Sequence, residues 1–134
     1  TVRANYEGDD LQGTFFGRQE QGFLTESNPE SKVTLSADYQ LSAFGLLVRT
    51  VRFGEQVRPG FAQNQTHSPE WVVDATASYD LTEAATLSVG ASNLFNNYPD
   101  EQVFGNSYAG VFDYAPVQQG LNGAFYFARL NVQL

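Results

Sequence analysis

At 134 residues the chain is at most one domain by length. Fifteen acidic against seven basic residues give a net charge of −8, which argues against nucleic acid as a partner, because phosphate contacts need a basic patch. With no cysteine there is no disulfide framework and no thiolate metal site; no run of about 18 apolar residues marks a transmembrane helix, a test that cannot see barrel strands.

The elements follow in chain order. A short first strand is expected around Val2 to Tyr6, followed by a long connection from Gly8 to Ser31. Val33, Leu35, Ala37, Tyr39 and Leu41 then alternate with Thr34, Ser36, Asp38 and Gln40, the period of a strand with one apolar and one polar face. Ser42 and Ala43 form a tight turn into the strand Phe44 to Phe53. There Leu46, Leu47 and Val48 are consecutive, which predicts either burial on both faces or a bulge. A second long connection runs from Glu55 to Glu70. Val73, Ala75, Ala77, Tyr79 and Leu81 again alternate with polar residues, and Thr82 to Thr86 is a short turn into Leu87, Val89 and Ala91. Asn96 to Leu121 is the third long connection, rich in Gly, Pro, Asn and acidic residues. The last strand alternates through Tyr126, Ala128, Leu130, Val132 and Leu134.

The fold class read from this pattern is all-β. It is an antiparallel up-and-down meander of about six strands, with short turns at one end and long loops at the other. That asymmetry, with strands near the ~9–11 residues that cross a bilayer at a tilt, is the pattern of an outer-membrane barrel. An open sheet leaves two edges unpaired, so further strands are expected from the rest of a parent chain or from neighbouring copies, and copies of the chain are expected to associate through these edges. The chain lacks an initiator methionine and a signal peptide, so it reads as a piece of a longer protein.

Three stretches resemble a known family, the TonB-dependent outer-membrane receptors, at the C-terminal end of their barrel. Ser27-Asn-Pro-Glu-Ser-Lys-Val-Thr-Leu-Ser-Ala-Asp-Tyr39 resembles the family's Pro-x-x-Lys strand start. Trp71 to Leu81, followed by Gly90-Ala-Ser-Asn-Leu-Phe-Asn-Asn-Tyr-Pro99, resembles its G-x-x-N-L-F-(D/N)-x-x-P signature with the preceding Asp strand. Gly123-Ala-Phe-Tyr-Phe-Ala-Arg129 resembles the terminal G-x-x-Y-x-x-R strand, and Leu134 stands where the family commonly ends on an aromatic residue. The resemblance implies that residues 1–134 are the C-terminal part of a 22-stranded barrel, its plug domain lying upstream. It implies a bacterial outer-membrane receptor, not an enzyme, that takes up siderophore, cobalamin or another scarce nutrient. The expected partners are outer-membrane lipid, the remaining barrel and plug, and TonB through the N-terminal part; no cofactor is expected.

Candidate sites divide by face. Val33, Leu35, Tyr39, Val73, Tyr79, Leu87, Val89, Tyr126, Leu130, Val132 and Leu134 are assigned to lipid. Arg49 and Arg129 face inward, either to dock a plug and guide an anionic ligand or to pair with a carboxylate such as Asp74 or Asp38. Trp71 suits an interfacial belt. Tyr108, Phe112 and Tyr114, in the longest loop, are candidates for ligand contact or for loop packing. Asp9, Asp10, Asp100, Glu101 and Asp113 match no calcium-loop spacing and are read as solvated surface. His67 is the lone histidine, which argues against zinc and against a triad. Two other readings fit the alternation less well: a soluble β-barrel or sandwich with an apolar ligand inside, and a surface adhesion module.

Overall fold

The computed structural model describes residues 16–133. The expected strand at Val2 to Tyr6, the acidic pair Asp9 and Asp10, and Leu134 lie outside them. A helix α1 (Arg18–Thr25) precedes seven strands: β1 (Lys32–Leu41), β2 (Phe44–Phe53), β3 (Gln56–Pro59), β4 (Asn64–His67), β5 (Glu70–Thr82), β6 (Ala85–Ser92) and β7 (Phe125–Val132). Five form one sheet in the order β1-β2-β5-β6-β7, every neighbouring pair antiparallel; β3 and β4 form a separate hairpin. The meander is as expected, with five sheet strands among the described residues. At about 3.3 Å per residue, the 10-residue β1 and β2 are about 33 Å long. Tilted about 40° they rise about 25 Å, the height of a barrel's apolar band.

The turns follow the sequence reading closely. Ser42 and Ala43 join β1 to β2, with Ser42 at φ 52°. The turn between β5 and β6 tightens to Glu83 and Ala84, because the strands extend to Thr82 and from Ala85. The expected disturbance at Leu46–Val48 is absent: both ladders of β2 run in unbroken register, and Leu47 stands exposed on the polar face. The irregularity lies instead between Asp80 and Thr82, near the β5–β6 turn.

Register decides which residues share a face, since side chains directly opposite one another point the same way. One row runs Leu41, Phe44, Tyr79, Leu87, Leu130; the next runs Tyr39, Leu46, Ala77, Val89, Ala128; a third runs Ala37, Val48, Ala75, Ala91, Tyr126. Leu35, Thr50 and Val73, then Val33, Arg52 and Trp71, complete this face toward the long loops. Its middle is alanine-rich, with Trp71 and Tyr126 toward one end and Tyr39, Phe44 and Tyr79 toward the other. The opposite face carries Asp38, Thr76, Gly90 and Phe127 in one row and Gln40, Gly45, Ser78, Ser88 and Arg129 in the next. Gly90 has no room for a Cβ: it would stand 2.6 Å from Phe127 Cζ and 2.8 Å from Thr76 Oγ1. The Phe127 ring thus covers its cross-strand glycine, an aromatic rescue of a weak strand position.

The sheet has almost no core. Leu35, Tyr126 and Leu130 are 57%, 65% and 59% exposed, and β1 is exposed at every position. A sheet in water buries such a face.

An asparagine-rich turn closes β6 at the end toward the long loops. Asn93 and Asn96 adopt φ of 49° and 58°, the left-handed region that asparagine tolerates better than most side chains. The Asn93 amide donates to Asp74 Oδ1 (2.9 Å), and its side chain exchanges two hydrogen bonds with the Asn97 backbone (2.7 and 2.9 Å). Asn97 Nδ2 donates to the Trp71 carbonyl (2.7 Å) and to Glu70 Oε1 (2.9 Å), tying the turn to β5. On the other side Asn96 Oδ1 accepts the Ala124 amide (2.8 Å), just ahead of β7. A Cβ at Gly123 would overlap Asn96 Oδ1 and the Tyr98 hydroxyl. The signature around Asn93 and the Gly123 motif therefore meet in space, and each supplies what the other requires.

Candidate functional site

The long connections fold together into a cap, and their side chains do the joining. The hairpin turn Gly60–Gln63 contains Phe61, and the buried Asn106 fills it. Asn106 Oδ1 accepts the amides of Ala62 (2.9 Å) and Gln63 (3.3 Å), while its Nδ2 donates to the Gln63 carbonyl (2.9 Å). Asn106 thus acts as an extra peptide for three backbone groups. A Cβ at Gly60 would overlap this amide, so glycine is required there. Gln65 does the same one strand later, donating to the Glu101 carbonyl (2.7 Å) and accepting the Val103 amide (3.0 Å). Asp100 Oδ2 accepts the Ser68 amide (2.6 Å).

Helix α1 docks on the same hairpin. Gly22 is buried against Pro59, with no space for a larger residue, and Arg18 donates to the Gly60 carbonyl (2.9 Å) and to Asn64 Oδ1. The long connections expected at 8–31 and 55–70 therefore hold, among the described residues, a helix and a hairpin. Between Asn96 and Leu121 there is a 3₁₀ turn (Phe104–Asn106) and a single bridge between Glu101 and Tyr114.

These contacts gather aromatic rings from separate segments. The Phe61 and Tyr108 rings meet edge to face at 4.7 Å, Tyr108 and Phe112 at 5.8 Å, and Tyr98 stacks on Tyr114 at 5.0 Å. Tyr108 and Ala109 are held at φ of 51° and 57°, a conformation set by the Ser107 hydroxyl, which accepts the Gly110 amide (2.8 Å). The result is an open cavity of about 460 Å³, walled by Phe61, Tyr108, Phe112, Tyr114, Pro116 and Leu121. Arg58, Gln102 and Asn106 supply its polar edge. Its volume and mixed lining are those of a small-molecule site.

The structure thus brings together Tyr108, Phe112 and Tyr114, the three loop aromatics singled out from sequence. Phe61 and Arg58 join them from the hairpin and were not anticipated. The one available signal was the Pro59-Gly60 dipeptide, which marks a turn that would present its neighbours. Arg49 and Arg129 are not part of this cavity. Both lie on the polar face of the sheet, Arg49 directly across from Ser36 and Asp74, Arg129 across from Ser88. Asp74 also accepts the Asn93 amide, so it serves the turn at the end of β6.

His67 sits behind the pocket, 1% exposed, with neither ring nitrogen hydrogen-bonded to a described residue. A cavity of about 10 Å³ beside it, the size of one water, is also lined by Arg58, Gln102 and Asn106. Burial pushes the His67 pKa down, Asp100 opposes this, and Arg58 adds to it. Among the described residues no cluster of three metal-ligating side chains occurs.

The comparisons with known proteins agree with this architecture. No curated protein and no solved structure gives a significant match. A family model, described as TonB dependent receptor-like, beta-barrel, matches residues 2–94, which span β1, β2, β5 and β6 and end inside the asparagine-rich turn at Leu94. With more than half of its 134 residues matched, the chain belongs to the family of TonB-dependent receptor β-barrels.

Proposed function

We propose that the chain is the C-terminal portion of a receptor barrel in the bacterial outer membrane, and that the complete receptor imports a siderophore, cobalamin or another scarce nutrient with energy from TonB. The observation that carries this reading is the bare apolar face of the sheet. Val33, Leu35, Tyr39, Val73, Tyr79, Leu87, Val89, Tyr126, Leu130 and Val132 share it, with aromatics toward both ends. In lipid such a face needs no cover, and the aromatic residues sit at headgroup level. The polar face, with Arg49 and Arg129, then lines the lumen and meets a plug. The capped end, with its aromatic pocket, receives the ligand from outside. The unpaired edge of β7, like that of β1, joins neighbouring strands of the barrel, since lipid does not tolerate free edges.

The test is uptake by cells carrying or lacking the gene for this protein, with labelled ferric siderophores and cyanocobalamin as probes. The expected result is uptake of one probe that disappears with the gene, with loss of TonB and with a protonophore. Uptake unaffected by all three would contradict the proposal.

A further inference from the structure

Among the described residues the aromatic cavity is lined by one charged side chain, Arg58, and no carboxylate, although the chain as a whole bears −8. That guanidinium is half-buried on β3, between the pocket and helix α1, where it lies over the Phe23 ring at 5.8 Å. Among the described residues it has no carboxylate partner and donates no hydrogen bond. Burial pulls its pKa down, a penalty on the charged form that no carboxylate offsets. The other polar groups of the rim are already engaged. Asn106 is committed to the Gly60–Gln63 turn, and Gln102 Nε2 donates to the Phe112 carbonyl (2.8 Å). A charge kept partly out of water beside unpaired donors, in an acidic chain, is poised for an anion. The rest of the wall is four aromatic rings with Pro116 and Leu121, a surface that contacts flat apolar groups with little need for hydrogen bonds.

We infer that this pocket selects an organic anion with a flat apolar body, its charge held by Arg58 and its body lying against Phe61, Tyr108, Phe112 and Tyr114. The inference rests on the pocket being the receptor's outer ligand site, and it narrows the class of ligand. A neutral polyhydroxylated molecule such as a sugar leaves the Arg58 charge without a counter-charge. A flat cation finds Arg58 in its way.

The experiment compares 2-naphthoate with 2-naphthamide, which has nearly the same shape without the charge. Binding is measured by titration calorimetry on the protein purified from membranes in detergent, with protein-free micelles as the blank. The expected result is at least tenfold tighter binding of the acid. Arg58→Gln brings the two probes within about twofold, Arg58→Lys keeps the acid ahead, and Tyr108→Ala weakens both. Heat-resistant mobility on gels establishes that each variant barrel is folded. Equal binding of both probes to the wild type, binding of neither, or an acid preference that survives Arg58→Gln overturns the inference. Energy-dependent uptake is read separately in cells. Uptake that persists alongside equal binding of the two probes removes the anion assignment and leaves import standing; loss of uptake with the acid preference intact does the reverse.

Discussion

The sheet and the cap are built on opposite plans. In the sheet, large apolar side chains such as Leu35, Tyr79 and Leu130 stand exposed and continuous backbone ladders join the strands. In the cap the fully covered side chains include polar ones, Gln56, His67, Asn106 and Ser107, and side-chain amides replace ladder bonds. Each plan suits its solvent. A strand in lipid satisfies its backbone within the sheet and turns its grease outward. A loop cluster in water must bury something, and this one buries polar groups, of which Asn106 bonds across the long connections. The sheet therefore withstands polar-face changes and fails on lipid-face charge, whereas the cap fails when a single amide is lost.

The largest expected effect breaks the sheet's side of this contrast. Leu130→Arg places a charge on the apolar face and costs about 2–4 kcal/mol if it lies near the bilayer midplane. Asn131→Arg, on the opposite face, is tolerated. Outer-membrane yield of the folded protein measures both, and equal yields would remove the assignment of faces.

The next effect breaks the cap without touching the sheet. Asn106→Ala strands the amides of Ala62 and Gln63, while the Gln63 carbonyl keeps the Gly60 amide, at up to about 1–3 kcal/mol for each of these part-buried donors. Hydrogen exchange should accelerate at residues 60–65 while β1, β2, β5 and β6 stay protected. Uniform acceleration would mean that cap and sheet fold as one unit.

The smallest effect is a dependence on pH. The folded-state pKa of His67 lies below the ordinary value of about 6.5, so the cap's stability from this residue is complete above that pH and falls as acid titrates the folded imidazole. Protection of the β3 and β4 amides, corrected for the intrinsic slowing of exchange in acid, should therefore fall from pH 7.5 to pH 5, and His67→Phe should flatten that response. A response unchanged by the substitution would locate the sensitivity elsewhere.

The same contrast explains what could be read from the chain before its fold was known. The sheet was legible because a period of two repeats over 8 to 13 residues, and each pair of strands is joined by a local turn or a recognisable long gap. The asparagine signature was visible as a motif, but its purpose was not: Asp74, Asn93, Asn97 and Gly123 come together only through β5, β6 and β7. The cap was illegible for a different reason. β3 and β4 have four residues each, too few for a period, and Pro59 sits in one of them. Their stability comes from Asn106, Gln65 and Arg18, which reach across 36 to 46 residues of chain. Helix α1 has no side-chain N-cap bond and contains Gly22, so its tertiary contact with Pro59 outweighs a weak local preference. Loop aromatics drew notice by their residue type alone. Arg58 and Phe61 did not, because the Pro59-Gly60 pair between them marks a turn but not the cavity they share with Tyr108.

The central claim is that one face of this sheet meets lipid and the other a polar lumen. The chain contains no cysteine, so single cysteine substitutions at positions 33–41 give clean reporters. The measurement is their modification by a membrane-impermeant maleimide in intact outer membranes. The account predicts a period of two along β1, with positions 34, 36, 38 and 40 labelled and 33, 35, 37, 39 and 41 protected. Uniform labelling, or labelling of the odd positions alone, would contradict it.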